Sequence, residues 1–195
     1  MTKIHALASA FVLSLAAALA IAVPAKAVEE PAFRLELKDG AFEIRDYPAL
    51  VVAETTASGS QWDAGGEGFR ALAGYIFGGN RNQKKIAMTA PVGMTQTGGE
   101  WVVRFTMPRG YTLDTLPKPD NARVALREAP PTRFAVLRFS GLAREGTVAD
   151  RKAELSAWIE KRGLKPTGPA TLAQYNPPWT LWFLRRNEVM APVER

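Results

Sequence analysis

The chain predicts an α+β fold in which one strand–helix–strand–strand unit occurs twice after an initial hairpin. Three observations carry that expectation. Apolar and polar residues alternate over short runs, as in half-buried strands. Two longer segments change to helical spacing, and each is followed by glycine. Finally, Ile44-Arg-Asp-Tyr-Pro48, ahead of the first strand and helix, has an echo in Leu126-Arg-Glu-Ala-Pro130, ahead of the second. Two such units pair into one antiparallel sheet, strongly curved or closed, with both helices outside. Closure removes exposed edges and lets alternating strands bury one face.

The elements follow in order. Residues 33–38 and 41–46 alternate on either side of Asp39-Gly40, a hairpin signal because that turn needs positive φ. Residues 50–56 make a third strand. Residues 62–77 read as a helix with Asp63 as N-cap and Phe69, Leu72, Ala73 and Ile76 on one face. Gly65, Gly66, Gly68 and Gly74 each weaken a helix by up to about 1 kcal/mol relative to alanine. Close packing of backbone or ligand is the expected compensation. Gly78-Gly79 ends the helix. A strand over 86–96 turns at Thr97-Gly-Gly99 into a strand over 101–107, and 108–121 is an irregular, proline-rich connection. In the second half, 134–139 is a strand. Residues 148–162 form a helix with Thr147 as N-cap and Leu155, Trp158 and Ile159 as its apolar stripe. Strands over 170–176 and 179–189 close the unit on either side of Pro177-Pro178.

Composition narrows the function. Met1-Thr-Lys3 is a positive start, residues 6–23 are an apolar run, and Pro24-Ala-Lys-Ala27 ends in a small-x-small pattern. Residues 1–27 are therefore expected to be a cleaved signal peptide, leaving 28–195 as one domain in the periplasm or secreted. The apolar run also approaches the roughly 20 residues that span a bilayer, so an uncleaved anchor is the rival reading. The chain has no cysteine, which excludes a lipid-anchored lipoprotein. A domain of about 150 residues buries roughly 70% of its unfolded surface without disulfides. The formal charge of +6 includes Lys3 and Lys26 of the expected signal, and the remaining charges are dispersed. No nucleic-acid partner is expected, and no membrane contact after cleavage.

The only histidine is His5, so residues 28–195 contain neither histidine nor cysteine. That removes most zinc sites, every Ser-His or Cys-His dyad, and imidazole or thiolate ligation of haem. With no catalytic constellation visible, an enzyme is not expected.

The most informative stretch is Lys85-Ile-Ala-Met-Thr-Ala-Pro-Val-Gly-Met94. It alternates like a strand yet places Met88, Pro91 and Met94 where strands prefer β-branched residues. It follows Phe77-Gly-Gly-Asn-Arg-Asn-Gln-Lys84. Together with Phe42-Glu-Ile-Arg-Asp-Tyr-Pro48, residues 69–79, Tyr175-Asn-Pro-Pro-Trp179 and residues 184–189, it resembles the SOUL haem-binding family over nearly all of 28–195. The resemblance implies a distorted antiparallel β-barrel with two flanking helices. It further implies haem or a related porphyrin, held non-covalently in a hydrophobic groove beside the first helix, with basic groups near the propionates. Carried onto this sequence, Phe69, Leu72 and Ile76 form the packed helix face, flanked by Arg70 and Tyr75. Arg70, Arg81, Lys84 and Lys85 are the candidate propionate partners.

Several residues have two readings. Tyr75 is a candidate phenolate ligand for iron or a ring buried at a helix edge with a wetted hydroxyl. Met88 and Met94, six apart on one strand face, line or ligate haem, or fill the core. Arg185-Arg-Asn-Glu188 is expected to supply an ion pair closing the barrel, and Trp158, Trp179 and Trp182 to be core or rim residues. Two other functions compete. One is a module for other apolar or amphipathic small molecules, resembling the cation-capturing effector domains of bacterial regulators. It needs a buried carboxylate among Glu54, Glu100 and Glu188. The other is an envelope interaction protein with no ligand.

Overall fold

The computed structural model describes residues 28–195; the expected signal segment, with His5, lies outside the described residues. The chain opens with a hairpin of β1 (Arg34–Asp39) and β2 (Phe42–Tyr47), turned at Gly40 with φ +59. Next come β3 (Leu50–Ala57), α1 (Gln61–Ile76), β4 (Val92–Thr97) and β5 (Glu100–Thr106). The second half supplies β6 (Ala125–Ala129), β7 (Thr132–Ser140), α2 (Glu145–Lys161), β8 (Thr171–Gln174) and β9 (Arg186–Val193). Among the described residues, nine antiparallel strands form one sheet in the order β1-β2-β7-β9-β8-β4-β5-β3-β6.

The expected closed barrel is not formed. The edges β1 and β6 do not pair, so the sheet stays open. Both edges carry features that make an unpaired strand tolerable. β1, Arg-Leu-Glu-Leu-Lys-Asp, is charged, largely exposed and bulged between Leu35 and Leu37, and β6 is five residues long.

Both helices lie on one face, α1 over β3 and β5 and α2 over β7 and β9. Leu72 and Ile76 from α1, and Leu155 and Ile159 from α2, share a core with Val103, Phe105, Leu137, Leu172 and Val189. Strand alternation sends the intervening residues to the other face, where Tyr47, Val136, Ala173 and Met190 form a second, smaller cluster. The helix glycines have their explanation here. A Cβ on Gly68 would overlap the Val103 side chain, and one on Gly65 would stand 3.0 Å from the Met94 methyl. The helix sits close because these positions have no side chain.

Other expectations need correction. Ser60, not Asp63, caps α1, with its Oγ accepting from Asp63 N at 3.2 Å. α2 starts earlier than expected because the Val148 N to Arg144 O bond, 2.8 Å, closes the turn that buries Val148. Arg144 is its N-cap, without a side-chain bond, and Thr147 lies inside the first turn. Only the second half of the 86–96 stretch is a strand. Ile86 N is taken by Ile76 O (2.8 Å) and Ala90 N by Glu29 O (2.9 Å), so the backbone before Pro91 serves the helix end and the N-terminal segment. Met88 is thus outside the strand and half-buried, while Met94 is in the core.

The last strand begins at Arg186. Pro177 and Pro178 interrupt the ladder, and residues 179–185 form a loop with a 3-10 turn at Trp182–Leu184. Trp158 stacks on Phe42 at 5.0 Å, but Trp179 and Trp182 are exposed.

Candidate functional site

α1 has two apolar sides. Leu72, Tyr75 and Ile76 face the sheet and are buried. Phe69 and Phe77 stay exposed at 41% and 62%, and Ala73 stands between them at i+4 spacing. Eight residues at 1.5 Å each give this stripe a length of about 12 Å. The Phe69 ring rests edge-on against Phe105 at 5.5 Å, which fixes its direction. Exposed Arg70 sits one residue round the helix from Phe69, and the Ile86–Ile76 bond lays the chain carrying Met88 beside the helix end.

Tyr75 is turned away from the stripe. Its hydroxyl donates to Pro117 O at 3.0 Å. Burial, helped by nearby Tyr111, pushes its pKa up to about 12, so the phenol stays neutral and acts as a donor.

The segment after α1 turns sharply. Gly78 has φ +116, and a Cβ on Gly79 would stand 2.7 Å from Gly74 O. The organising side chain is Asn80, buried at 1%. Its Nδ2 donates to Tyr75 O (3.0 Å) and Lys84 O (2.8 Å), and its Oδ1 accepts from Lys84 N (3.0 Å). Backbone bonds from Arg81 N to Lys118 O and from Asp120 N to Gly79 O, 3.1 Å each, tie the turn to the following connection. Sequence reasoning missed Asn80; the signal was an Asn after two glycines at a helix end, where side-chain amides bond local backbone. The turn leaves Arg81, Lys84 and Lys85 exposed, with Lys84 Nζ 4.9 Å from the centre of the Tyr111 ring. None of Arg70, Arg81, Lys84 and Lys85 has a carboxylate partner among the described residues.

The sequence-named residues therefore divide. Phe69, Arg70, Arg81, Lys84, Lys85 and Met88 reach the surface around α1 and its C-terminal turn. Leu72, Tyr75, Ile76 and Met94 pack beneath it.

The carboxylates considered for a cationic ligand are placed differently. Glu188, fully buried, lies on the sheet face away from the helices. Arg45 clamps it through Nη1 and Nη2 at 2.8 and 3.0 Å, Tyr175 donates to it at 2.7 Å and Arg186 at 3.2 Å. Burial alone would raise the Glu188 pKa, but Arg45, with Tyr175 and Arg186, outweighs it and holds the carboxyl below its ordinary value. Glu54 is paired with Arg104 and Arg127, and Glu100 accepts from Ser58 at 3.4 Å. No group of three or more His, Cys, Asp or Glu suited to a metal ion occurs among the described residues.

Comparison with known proteins bears on fold and family. Among solved structures, the chain is similar to the C-terminal domain of EcmrR, with a TM-score of 0.60 and 11% identity, covering 79% of this chain and 97% of that one. It is also similar to a hydrolase from Listeria innocua, TM-score 0.56 and 13% identity, covering 82% and 94%. At these identities the likeness concerns the fold alone. Among curated proteins, "Heme-binding protein 2" of Homo sapiens is 37% identical over 184 residues, covering 84% of this chain and 89% of the relative. "Heme-binding protein 1" of Xenopus laevis is 25% identical over 166 residues, covering 77% and 87%. The family model described as "SOUL heme-binding protein" matches residues 28–192. The chain belongs to the SOUL heme-binding protein family.

Proposed function

We propose that the protein binds haem or a related porphyrin, non-covalently, on the outer side of α1. The supporting observation is the pairing of exposed Phe69 and Phe77, two turns apart with buried Ala73 between them, with four cations that have no carboxylate partner among the described residues. A porphyrin is a flat apolar ring with carboxylates on one edge. Phe69, Phe77 and Met88 supply its apolar contact, and Arg70, Arg81, Lys84 and Lys85 supply charge-assisted bonds to the propionates. At about 25 cal/mol per Å2, covering about 300 Å2 contributes about 7 kcal/mol before the cost of immobilising the ligand. Leu72, Ile76 and Met94 support this surface from below. Binding is without histidine, since residues 28–195 contain none, and Tyr75 does not ligate because its hydroxyl serves Pro117.

The names of the curated relatives and of the family support the same ligand. An amphipathic cation is less well matched: the basic residues stand at the exposed stripe, and Glu54 and Glu188 are already paired with arginine. The proposal includes export, supported by the composition of residues 1–27. It also includes descent from a duplicated unit. The strand order supports that reading: outward from the β8–β4 contact the sheet runs β9, β7, β2 on one side and β5, β3, β6 on the other, the arrangement that two copies of one unit would give.

Titration of the purified protein with hemin and with metal-free protoporphyrin tests the reading. Similar affinities, within about tenfold, are expected when apolar contact and propionate pairing do the binding, since tenfold corresponds to about 1.4 kcal/mol. Failure of both ligands to bind the folded protein overturns it.

A further inference from the structure

We propose that Tyr111 is a positioning residue of the tetrapyrrole site, holding the Lys84 ammonium over its ring so that the charge is in place when a propionate arrives. The inference rests on the tetrapyrrole reading and adds to it a residue from the connection between β5 and β6. Lys84 Nζ stands 4.9 Å from the centre of the Tyr111 ring. That is inside the roughly 6 Å over which a cation is drawn to an aromatic face. Among the described residues, the other three cations of the site, Arg70, Arg81 and Lys85, have no such ring beneath them.

The backbone of Lys84 is fixed as well. Asn80 Oδ1 accepts from its N–H at 3.0 Å, and Asn80 Nδ2 donates to its carbonyl oxygen at 2.8 Å. A long flexible side chain is therefore restrained at both ends, at the main chain by Asn80 and at the ammonium by Tyr111. A free lysine loses rotamer freedom when it pairs with a ligand; a restrained one has given up part of it beforehand. The ring carries no net charge, so the ammonium keeps its full capacity to pair with a carboxylate.

Tyr111 is placed by its own connection. Tyr111 N bonds Pro108 O at 3.3 Å. Thr112 N donates to Thr115 Oγ1 at 2.8 Å and Leu116 N to Thr112 O at 3.2 Å, closing a turn that carries Leu116 into the core. Beyond that turn the chain is hooked to the end of α1. Pro117 O accepts from the Tyr75 hydroxyl, Lys118 O from Arg81 N, and Gly79 O from Asp120 N. The Tyr111 ring packs against the core yet stays half-buried, and Lys84 is exposed beside it.

The test is a double-mutant cycle on hemin affinity in the folded protein, comparing native, Tyr111→Leu, Lys84→Ala and the double variant. Tyr111→Leu should weaken hemin binding about two- to fivefold, the range of a cation–ring contact at an exposed site. Tyr111→Phe keeps the ring and should stay within about twofold of native. In the Lys84→Ala background, Tyr111→Leu should change nothing further. Hemin dimethyl ester, whose propionates carry no charge, should bind the native protein and Tyr111→Leu equally. Pentafluorophenylalanine in place of Tyr111 keeps the ring shape without its negative face; it should weaken hemin as leucine does, and it serves where the leucine variant fails to fold. Native affinity in Tyr111→Leu, or equal weakening with and without Lys84, would overturn the proposal, as would equal weakening for hemin and its ester. A native protein that binds no hemin would instead overturn the tetrapyrrole reading, and this inference with it.

Discussion

Arg45 on β2 and Glu188 on β9 join across the strand between them, β7, with both guanidinium Nη atoms on the two carboxylate oxygens at 2.8 and 3.0 Å. Arg45 is 3% exposed and Glu188 not at all. Phe33 lies over the Arg45 guanidinium at 4.5 Å, and Arg186 stacks on Tyr175 at 3.5 Å. The polar face of the sheet is therefore covered by its own side chains. Removing one member leaves the other buried with only its secondary charged partner, Glu43 at 2.7 Å for Arg45 or Arg186 at 3.2 Å for Glu188, so Arg45→Met or Glu188→Gln should each cost up to about 3–5 kcal/mol in urea unfolding. The double variant Arg45→Met with Glu188→Leu should cost less than the two single changes added together. Simple additivity would contradict a paired, desolvated contact.

Acid stability follows from the same carboxyl. Its folded pKa is lowered from 4.5, so its stabilisation is fully present above about pH 4.5 and is lost as pH falls through the lower folded value. Unfolding free energies between pH 7 and pH 3 should fall for the native protein and fall less steeply for Glu188→Gln. An equally steep acid limb in the variant would assign the loss to other groups.

The glycines of α1 give opposed expectations. Gly68→Ala drives a methyl into Val103 and should destabilise by about 1–3 kcal/mol. Gly74 is exposed with nothing within reach of a Cβ, so Gly74→Ala should stabilise by up to about 1 kcal/mol. Thermal melts of the two variants, shifted to opposite sides of the native midpoint, check the claim.

Asn80→Ala removes three bonds at a buried site and should cost about 1–3 kcal/mol. It should also weaken hemin binding through a loosened Arg81–Lys85 turn. Tyr75→Phe loses only the bond to Pro117, about 1 kcal/mol, and should leave the Soret position of the hemin complex unchanged. A shifted Soret band in Tyr75→Phe would make the phenol a ligand after all.

Much of the architecture was legible because it rests on local signals. Asp39-Gly40 placed the first hairpin, Thr97-Gly-Gly99 the β4–β5 turn, and the spacing of Leu72 and Ile76 the buried face of α1. Barrel closure was not legible, because whether β1 meets β6 depends on sheet twist and edge chemistry that no single segment records. The Lys85–Met94 motif misled as a strand because its alternation was real while its donors went elsewhere, to Ile76 O and Glu29 O. The candidate site was half legible. Charge and position exposed Arg81, Lys84 and Lys85, but burial of Tyr75 and Met94 follows from the close seating of α1 that Gly65 and Gly68 permit. Trp179 and Trp182 were expected in the core or at the rim; the double proline that lifts them from the ladder is the signal for their exposure.

The proposed tetrapyrrole site pairs exposed Phe69 and Phe77 with Arg70 on α1 and Arg81, Lys84 and Lys85 in the turn that follows it. Its most direct measurement is the hemin dissociation constant of three proteins: native, Phe77→Ser, and Lys84→Glu with Lys85→Glu. Each exposed site can change without disturbing the core. The account predicts at least tenfold weaker binding for both variants, with the charge variant's deficit shrinking at high salt. Native affinity in both, with the fold intact, would place the ligand elsewhere and contradict the account.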